Sequence, residues 1–288
     1  MIDPVSSGDV VVHGDNLTVL PKLPDGMFQL VYIDPPFNTG ARRDRRTLRT
    51  VSDPTGGDRT GFGGRRYTSR ETGRMSYADS FDDYAAFLAP RLEEARRLLT
   101  ESGTLYVHLD WREAHYVKVL LDEIFGRDCF LNEVVWAYDF GGRPRDRWAA
   151  KHDTLLVYVK RVGHHLFDQD QVQRVPYLAP DLVGAEKAAR GKLPTDVWWH
   201  TIVPTNGREK TGYPTQKPEG VLRRVLQPSS RPGDWVLDFF AGSGTTGAVA
   251  AAMGRRFVLV DENPEALAVM RRRLGEGPSY VDAGGTVL

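Results

Sequence analysis

Cysteine occurs once in the 288 residues, at Cys129. An intramolecular disulfide is therefore excluded, and the cytoplasm is the expected compartment. No apolar run reaches the roughly 18 residues that a membrane-spanning helix needs. The opening MIDPVSSGDVVVHGD lacks a basic stretch followed by an apolar one, so no signal peptide is expected. His108, His115, His152 and His200 show no metal-ligand spacing, and His164-His165 is a lone adjacent pair, so no metal is expected. Net charge is also lacking, because 38 Lys and Arg balance 38 Asp and Glu. The balance is uneven along the chain. Residues 41–74 contain no lysine, yet hold ten arginines against four acids (Asp44, Asp53, Asp58, Glu71), which makes that segment +6 and the remainder −6.

What is present is ordinary for a soluble globular protein: 41% apolar and 26% charged residues. The length suits one large α/β domain, or one domain with an insertion. The stretch around which the chain is organised is Asp34-Pro35-Pro36-Phe37-Asn38-Thr39-Gly40. It follows FQLVYI (Phe28–Ile33), which reads as a buried parallel strand. Two prolines lack the N–H groups a ladder needs, so the strand stops there. A carboxylate, a stiff backbone and an aromatic ring then stand at the carboxyl end of a strand, where open α/β sheets bind ligands.

The remaining elements follow from periodicity and punctuation. Strands are expected at 9–13, 104–109, 134–138, 154–160, 235–239 and 256–260. Helices are expected from about Leu17, over 79–100 with a kink or restart at Pro90, over 111–125, from Pro218 to about Gln227, and over 245–253 and 264–274. Residues 41–76 contain six glycines and little periodicity, and read as a mobile loop. Arginine without lysine favours a phosphate-contacting role for that loop, the alternative being a solvated linker. Arg143, Arg145 and Arg147 make a second basic loop. Residues 161–212, with Trp198-Trp199-His200, form the least regular part, and a loose tail is expected after Gly275.

Gly242-Ser243-Gly244-Thr245-Thr246-Gly247 follows a strand and opens a helix. Such glycines permit a tight turn and close approach of a ligand to helix N-terminal amides. Asp261 ends the next strand, 19 residues after Gly242, where a carboxylate can hold ribose hydroxyls. This pattern fits a nicotinamide dinucleotide as well as S-adenosyl-L-methionine. Position disfavours the first: only 41 residues follow Gly247, fewer than the second half of a dinucleotide fold normally takes, which leaves an NAD-dependent oxidoreductase as a remote alternative. The order is therefore permuted, with the acidic corner first and the glycine turn last.

Three segments in this order, Asp34-Pro35-Pro36-Phe37, Thr215-Gln216-Lys217-Pro218 and Asp238-Phe239-Phe240-Ala241-Gly242-Ser243-Gly244, resemble the β-group of DNA amino-methyltransferases over nearly the whole chain. The resemblance implies an α/β fold with a mostly parallel, Rossmann-like methyltransferase sheet, permuted motifs and an inserted target-recognition region. It implies S-adenosyl-L-methionine as cofactor and the exocyclic amine of a flipped base in double-stranded DNA as substrate, adenine N6 in preference to cytosine N4. It also implies a homodimer, with a cognate restriction endonuclease as a candidate partner, and no membrane. By this resemblance Asp34, Pro35, Pro36 and Phe37 are catalytic. Asp15, Thr215, Lys217, Asp238, Phe240, Gly242, Gly244, Thr245 and Asp261 bind the cofactor. The expected DNA contacts are Arg42, Arg43, Arg45, Arg46, Arg65, Arg66, Arg143, Arg145 and Arg147. The corresponding organisation is a catalytic half (1–40 and 77–160), an arginine-rich DNA-contact loop (41–76), a target-recognition region (161–212), a cofactor-binding half (213–275) and a tail (276–288). Local alternatives stand beside two of these residues: Asp15 as a helix N-cap and Lys217 as a charge at a helix start. Phe37 departs from the tyrosine frequent in this group, which keeps stacking but loses a hydroxyl. Cys129 has no proline before it and no loop suited to attack, so it reads as a buried packing residue rather than the nucleophile that cytosine C5 methylation requires.

Overall fold

Short runs of β-branched and aliphatic residues build the centre of the fold. VVV (10–12), LVYI (30–33), VL (236–237) and FVLV (257–260) are almost wholly withdrawn from solvent. Strands apolar on both faces suit a sheet covered by helices on both sides. The computed structural model describes residues 8–38, 43–52, 59–60, 66–77, 81 and 83–288. It divides into two compact units, residues 38–82 and the remainder.

The larger unit begins with β1 (Val10–His13), α1 (Asn16–Val19) and β2 (Phe28–Ile33). The smaller unit supplies β3 (Arg43–Ser52), β4 (Arg59–Thr60) and β5 (Arg66–Tyr77). The larger unit resumes with α2 (Tyr84–Leu98), β6 (Leu99–Leu109), α3 (Ala114–Phe125), β7 (Phe130–Ala137) and β8 (His152–Val159). Next come α4 (Ala185–Arg190), β9 (Val197–Trp199) and α5 (Glu219–Ser229). The chain closes with β10 (Trp235–Asp238), α6 (Thr245–Ala252), β11 (Arg256–Asp261), α7 (Pro264–Leu274) and β12 (Ser279–Asp282).

Nine strands form one sheet in the order β12-β1-β11-β10-β2-β6-β8-β7-β9. From β12 to β6 every pairing is parallel; β8 runs antiparallel to both β6 and β7, and β9 parallel to β7. The carboxyl ends of β1, β11, β10, β2 and β6 therefore share one edge. Because β8 opposes both β6 and β7, β7 also ends at that edge. Helices α1, α2 and α3 pack in succession, as do α5, α6 and α7. This is the mostly parallel α/β architecture expected from the motifs, with β10 lying directly against β2.

Local chemistry accounts for the helix ends. Asp83 accepts from the Ala86 amide at 2.9 Å and starts α2. Asn263 accepts from Glu265, Pro264 follows at the first helical position, and Gly275 closes α7. Pro90 lies inside α2, which runs through it as one helix, because its face (Leu88, Leu92, Ala95, Leu98) stays buried on both sides of the proline.

Several stretches differ from the sequence expectation. Residues 41–76 are not a structureless loop. β3 and β5 pair antiparallel from Arg43↔Tyr77 to Ser52↔Tyr67, with a register shift at Thr47/Leu48, and β4 joins β5. Thr47, Thr50, Val51, Tyr67 and Thr68 are strand formers that outweigh the glycines. The expected tail is β12, held parallel to β1 with Tyr280 and Val281 buried. Its partner strand comes some 270 residues earlier, beyond the reach of local pattern. Strand β6 also begins at Leu99, five residues before expectation, and β7 at Phe130.

Candidate active site

The corner after β2 is assembled from three distant segments. Asp34 follows Ile33 at the strand end, and Pro35 and Pro36 turn the chain outward. The Tyr84 hydroxyl on α2 donates to the Pro36 carbonyl at 2.6 Å, which anchors the turn. Lys217 Nζ, just before α5, bonds to Asp34 Oδ2. Only 9% of the lysine side chain and 17% of the aspartate side chain remain exposed. The other carboxylate oxygen, Asp34 Oδ1, is buried and has no hydrogen-bond partner among the described residues. A desolvated acceptor without a donor is costly, so it marks a position for an incoming N–H. Phe37 lies beside it, with Lys217 Nζ 4.9 Å from its ring centre.

The glycine turn lies on the neighbouring strand end. Gly242 (φ +49) and Gly244 (φ +70) adopt left-handed conformations, the reason glycine is needed. A Cβ at Gly242 would stand 3.2 Å from the Tyr213 ring, and one at Gly244 2.7 Å from Met270 Cγ. Asp261, at the end of β11, accepts from the Gly242 amide at 2.7 Å and from Asn263 at 2.9 Å. Burial pushes its carboxyl above the ordinary range against those two amides. Both oxygens retain lone pairs for further donors.

Asp238 and Thr245 serve the turn from within. Asp238 accepts from the Phe240 amide (3.0 Å) and the Thr246 hydroxyl (2.6 Å). Burial drives its pKa up to about 7, with the charges of Asp34 and Asp261 adding to that rise. Thr245 donates to the Lys217 carbonyl at 3.2 Å and receives Arg273 at 2.9 Å. One tie thus links the glycine turn to the lysine that holds Asp34. Phe240 is half-buried, its ring 6.1 Å from that of Phe87. Asp15 caps α1 through the Thr18 amide (3.1 Å), the local alternative for that residue, and also faces Arg91 at 3.6 Å. Thr215 is exposed in a left-handed conformation (φ +58).

Asp34, Phe37, Lys217, Gly242, Gly244, Thr245, Asp238 and Asp261 thus gather at one sheet edge. Arg143, Arg145 and Arg147 do not join them; all three are exposed on the loop after β7, at the same edge. Trp148, 98% exposed, and Phe140 share that loop. Arg43, Arg45, Arg46 and Arg66 fall on β3 and β5 of the smaller unit, while Arg42 and Arg65 lie outside the described residues. Cys129 is half-buried rather than buried, in the short helical turn just before β7, with Sγ 4.0 Å from the Lys160 carbonyl. Among the described residues no cluster of His, Cys, Asp and Glu could hold a metal.

Sequence reasoning passed over a buried polar chain behind the corner. Tyr32 Oη meets His108 Nδ1 at 2.8 Å, and His108 Nε2 meets Asp153 Oδ2 at 3.1 Å. The Tyr138 hydroxyl reaches Asp153 Oδ1 at 2.9 Å. These four residues come from β2, β6, β8 and the end of β7, and each looks locally like a polar interruption of a strand. The available signal is that His108 breaks the apolar run of β6, whereas Asp153 stands among polar residues before the apolar run of β8 and gives none.

A sequence model described as DNA methylase, for the N6/N4 enzymes, matches residues 28–272. DNA adenine methyltransferase YhdJ of Escherichia coli K12 is 29% identical over 283 residues, covering 94% of this chain and 84% of its own. The M1.HpyAVI–SAM complex superposes with a TM-score of 0.57 at 18% identity, covering 92% of this chain and 99% of its own. The cytosine-N4-specific PvuII DNA methyltransferase superposes with a TM-score of 0.60 at 14% identity, over 96% and 95% of the two chains. These last two likenesses establish the shared fold. With the family match spanning most of its length, the chain belongs to the N6/N4 DNA methylase family.

Proposed function

We propose that this enzyme transfers a methyl group from S-adenosyl-L-methionine to the exocyclic amine of a base flipped out of double-stranded DNA, with adenine N6 as the target. The observation that carries this reading is Asp34: one oxygen is held by Lys217, while the other is buried and has no hydrogen-bond partner among the described residues, with an aromatic ring beside it. The residues present fit the cofactor. The left-handed glycines admit a ligand at the start of α6, and Asp261 offers acceptors for ribose hydroxyls. Gly242, Gly244, Thr245 and Phe240 would line it, with Asp238 supporting the turn from beneath, Asp15 toward its adenine, and Thr215 and Lys217 toward its methionine end. When bound, the cofactor supplies an electrophilic methyl group on a sulfonium.

The protein's part concerns the amine. An exocyclic nitrogen is a poor nucleophile because its lone pair is conjugated into the ring. Asp34 Oδ1 and the Pro35 carbonyl accept its two hydrogens and draw it toward tetrahedral geometry, freeing the lone pair. Lys217 keeps the carboxylate from turning, so that Oδ1 stays aimed. As the new C–N bond forms the nitrogen sheds one proton, for which Asp34 is the adjacent base. Flipping costs a few kcal/mol, and stacking on Phe37 offsets about 1–3 kcal/mol of it. Positioning of this kind supplies much of the acceleration.

Asp34 at the head of the corner and the adenine-directed relative support adenine over cytosine. The arginines of β3 and β5 and of the loop after β7 are assigned to DNA phosphates, residues 161–212 to target recognition, and the working state to a homodimer in the cytoplasm. In a restriction–modification setting a cognate endonuclease is the partner. No helix among the described residues is long and apolar enough to cross a membrane. The decisive experiment incubates enzyme, cofactor and duplex DNA, digests the DNA to nucleosides and identifies the product by mass. N6-methyldeoxyadenosine is expected, lost in Asp34→Ala. N4-methyldeoxycytidine overturns the adenine reading, and absence of either product overturns the whole.

A further inference from the structure

The reaction as described leaves the polar chain behind the corner without a task. Tyr32 is 2% exposed and His108 fully buried. A buried polar set like this is seldom the most stable filling of its space, since apolar residues of equal volume pack at least as well. Its bonds run in one sense. Burial, then the charges of Asp34, Asp238 and Asp153, push the Tyr32 hydroxyl well above its ordinary pKa, so it keeps its proton. Tyr32 can then donate to His108 Nδ1, and Nε2–H donates to Asp153. Burial opposes the charge on Asp153, but the His108 and Tyr138 hydrogen bonds, with Lys217 nearby, outweigh it and hold its pKa below the ordinary range.

The imidazole is therefore fixed at both nitrogens, and its surroundings fix its plane. Trp136 packs edge-on against it, with centroids 5.4 Å apart and planes at 83°. Phe37 lies on it at 6.1 Å, tilted by 35°. Tyr32 stands two residues before Asp34 on the same strand. The β2–β6 ladder, which pairs Ile33 with Val107, brings His108 alongside the Asp34 position. The same chain thus touches the ring assigned to stacking and the strand that carries the acid. We propose that Tyr32, His108 and Asp153 are positioning residues that hold Phe37, and through it the flipped base, in register with Asp34. This rests on the DNA amine reading above and adds to it a floor that touches neither base nor cofactor.

The test uses the full-length enzyme and a duplex carrying its methylation site, mapped beforehand by modified-base sequencing. Asp153→Asn removes the carboxylate charge and leaves one acceptor oxygen where two donors, His108 Nε2–H and the Tyr138 hydroxyl, are now received, so one of the two bonds must rearrange. The expected result is a single-turnover methylation rate lowered about 10- to 100-fold, the scale of a reacting group displaced by about 1 Å. Fluorescence of 2-aminopurine at the target position should fall with it, while cofactor affinity by calorimetry and DNA affinity stay at wild-type values. If Asp153→Asn does not fold, Tyr32→Phe removes one bond and keeps the ring, and the same split is expected on a smaller scale. A folded variant with wild-type rate and fluorescence overturns the positioning role. So does a loss of rate matched by an equal loss of cofactor affinity, which would indicate general loosening. No methylated product from the wild type sinks the reaction and this inference together; normal wild-type product with unaffected variants sinks this inference alone.

Discussion

Lys217→Met tests the pairing at the centre of the site. The ammonium and the Asp34 carboxylate are bonded with 9% and 17% of their side chains exposed. Removing one partner of a buried pair costs about 3–5 kcal/mol, because a charge is left without its counterion. The residual exposure of Asp34 argues for the lower end, about 3 kcal/mol. For a chain of this size that corresponds to a fall in Tm of roughly 6 °C, at ~2 °C per kcal/mol. Asp34→Asn alone leaves Lys217 buried without an anion and should also destabilise. In the double variant neither charge remains, so its loss should fall short of the sum of the two single losses by a coupling energy of about 1–3 kcal/mol. Urea denaturation of the four proteins at neutral pH, without cofactor, measures the cycle. Additive effects, or a Lys217→Met protein as stable as the wild type, refute the idea that these two groups depend on each other.

Other outcomes follow from the same geometry. Asp238 has its folded pKa raised to about 7 from an ordinary 3.8. Its contribution to stability is present below about pH 4 and is lost as pH rises through 7, at up to about 1.4 kcal/mol per unit. Asp238→Asn should therefore gain on the wild type by on the order of 4 kcal/mol between pH 4 and 8 in denaturation experiments; parallel pH curves contradict this. Gly244→Ala meets both a left-handed backbone and Met270 Cγ at 2.7 Å. Strain of ~1–2 kcal/mol plus overpacking of ~1–3 kcal/mol should appear in denaturation, with cofactor affinity reduced in calorimetry. Replacing Arg143, Arg145 and Arg147 by alanine should lower the salt slope of DNA binding by roughly 0.9 for each phosphate that is no longer neutralised. Trp148→Ala in the same loop should weaken binding at every salt concentration, and neither change should move cofactor affinity. Unaltered DNA binding removes that loop from the interface.

Much of the fold was legible because its signals are local. FQLVYI before two prolines can end only as a strand stop, and a glycine run between an apolar strand and an alanine-rich helix can open only a tight turn. Those two features, with their inverted order, already implied a permuted α/β sheet, and the resemblance of the three motif segments added the methyltransferase. The strands of residues 43–77 were not legible, since arginine and glycine hide a strand pattern that antiparallel pairing restores. Nor was β12, whose partner is the first strand of the sheet.

Within the site the same division holds. The sequence by itself determined which residue types are offered: an acid and a ring at Asp34 and Phe37, a lysine before a helix, and glycines that tolerate left-handed angles. Only the tertiary structure decided which of them meet. It set Lys217 on Asp34 across 183 positions of chain and left Asp34 Oδ1 without a partner among the described residues. It turned Asp238 under the turn and joined Tyr32, His108 and Asp153 across three strands. The physical reason is that backbone propensity acts over a few residues, whereas hydrogen bonds and ion pairs act across space. Their partners are chosen by strand order and register, which no local pattern contains.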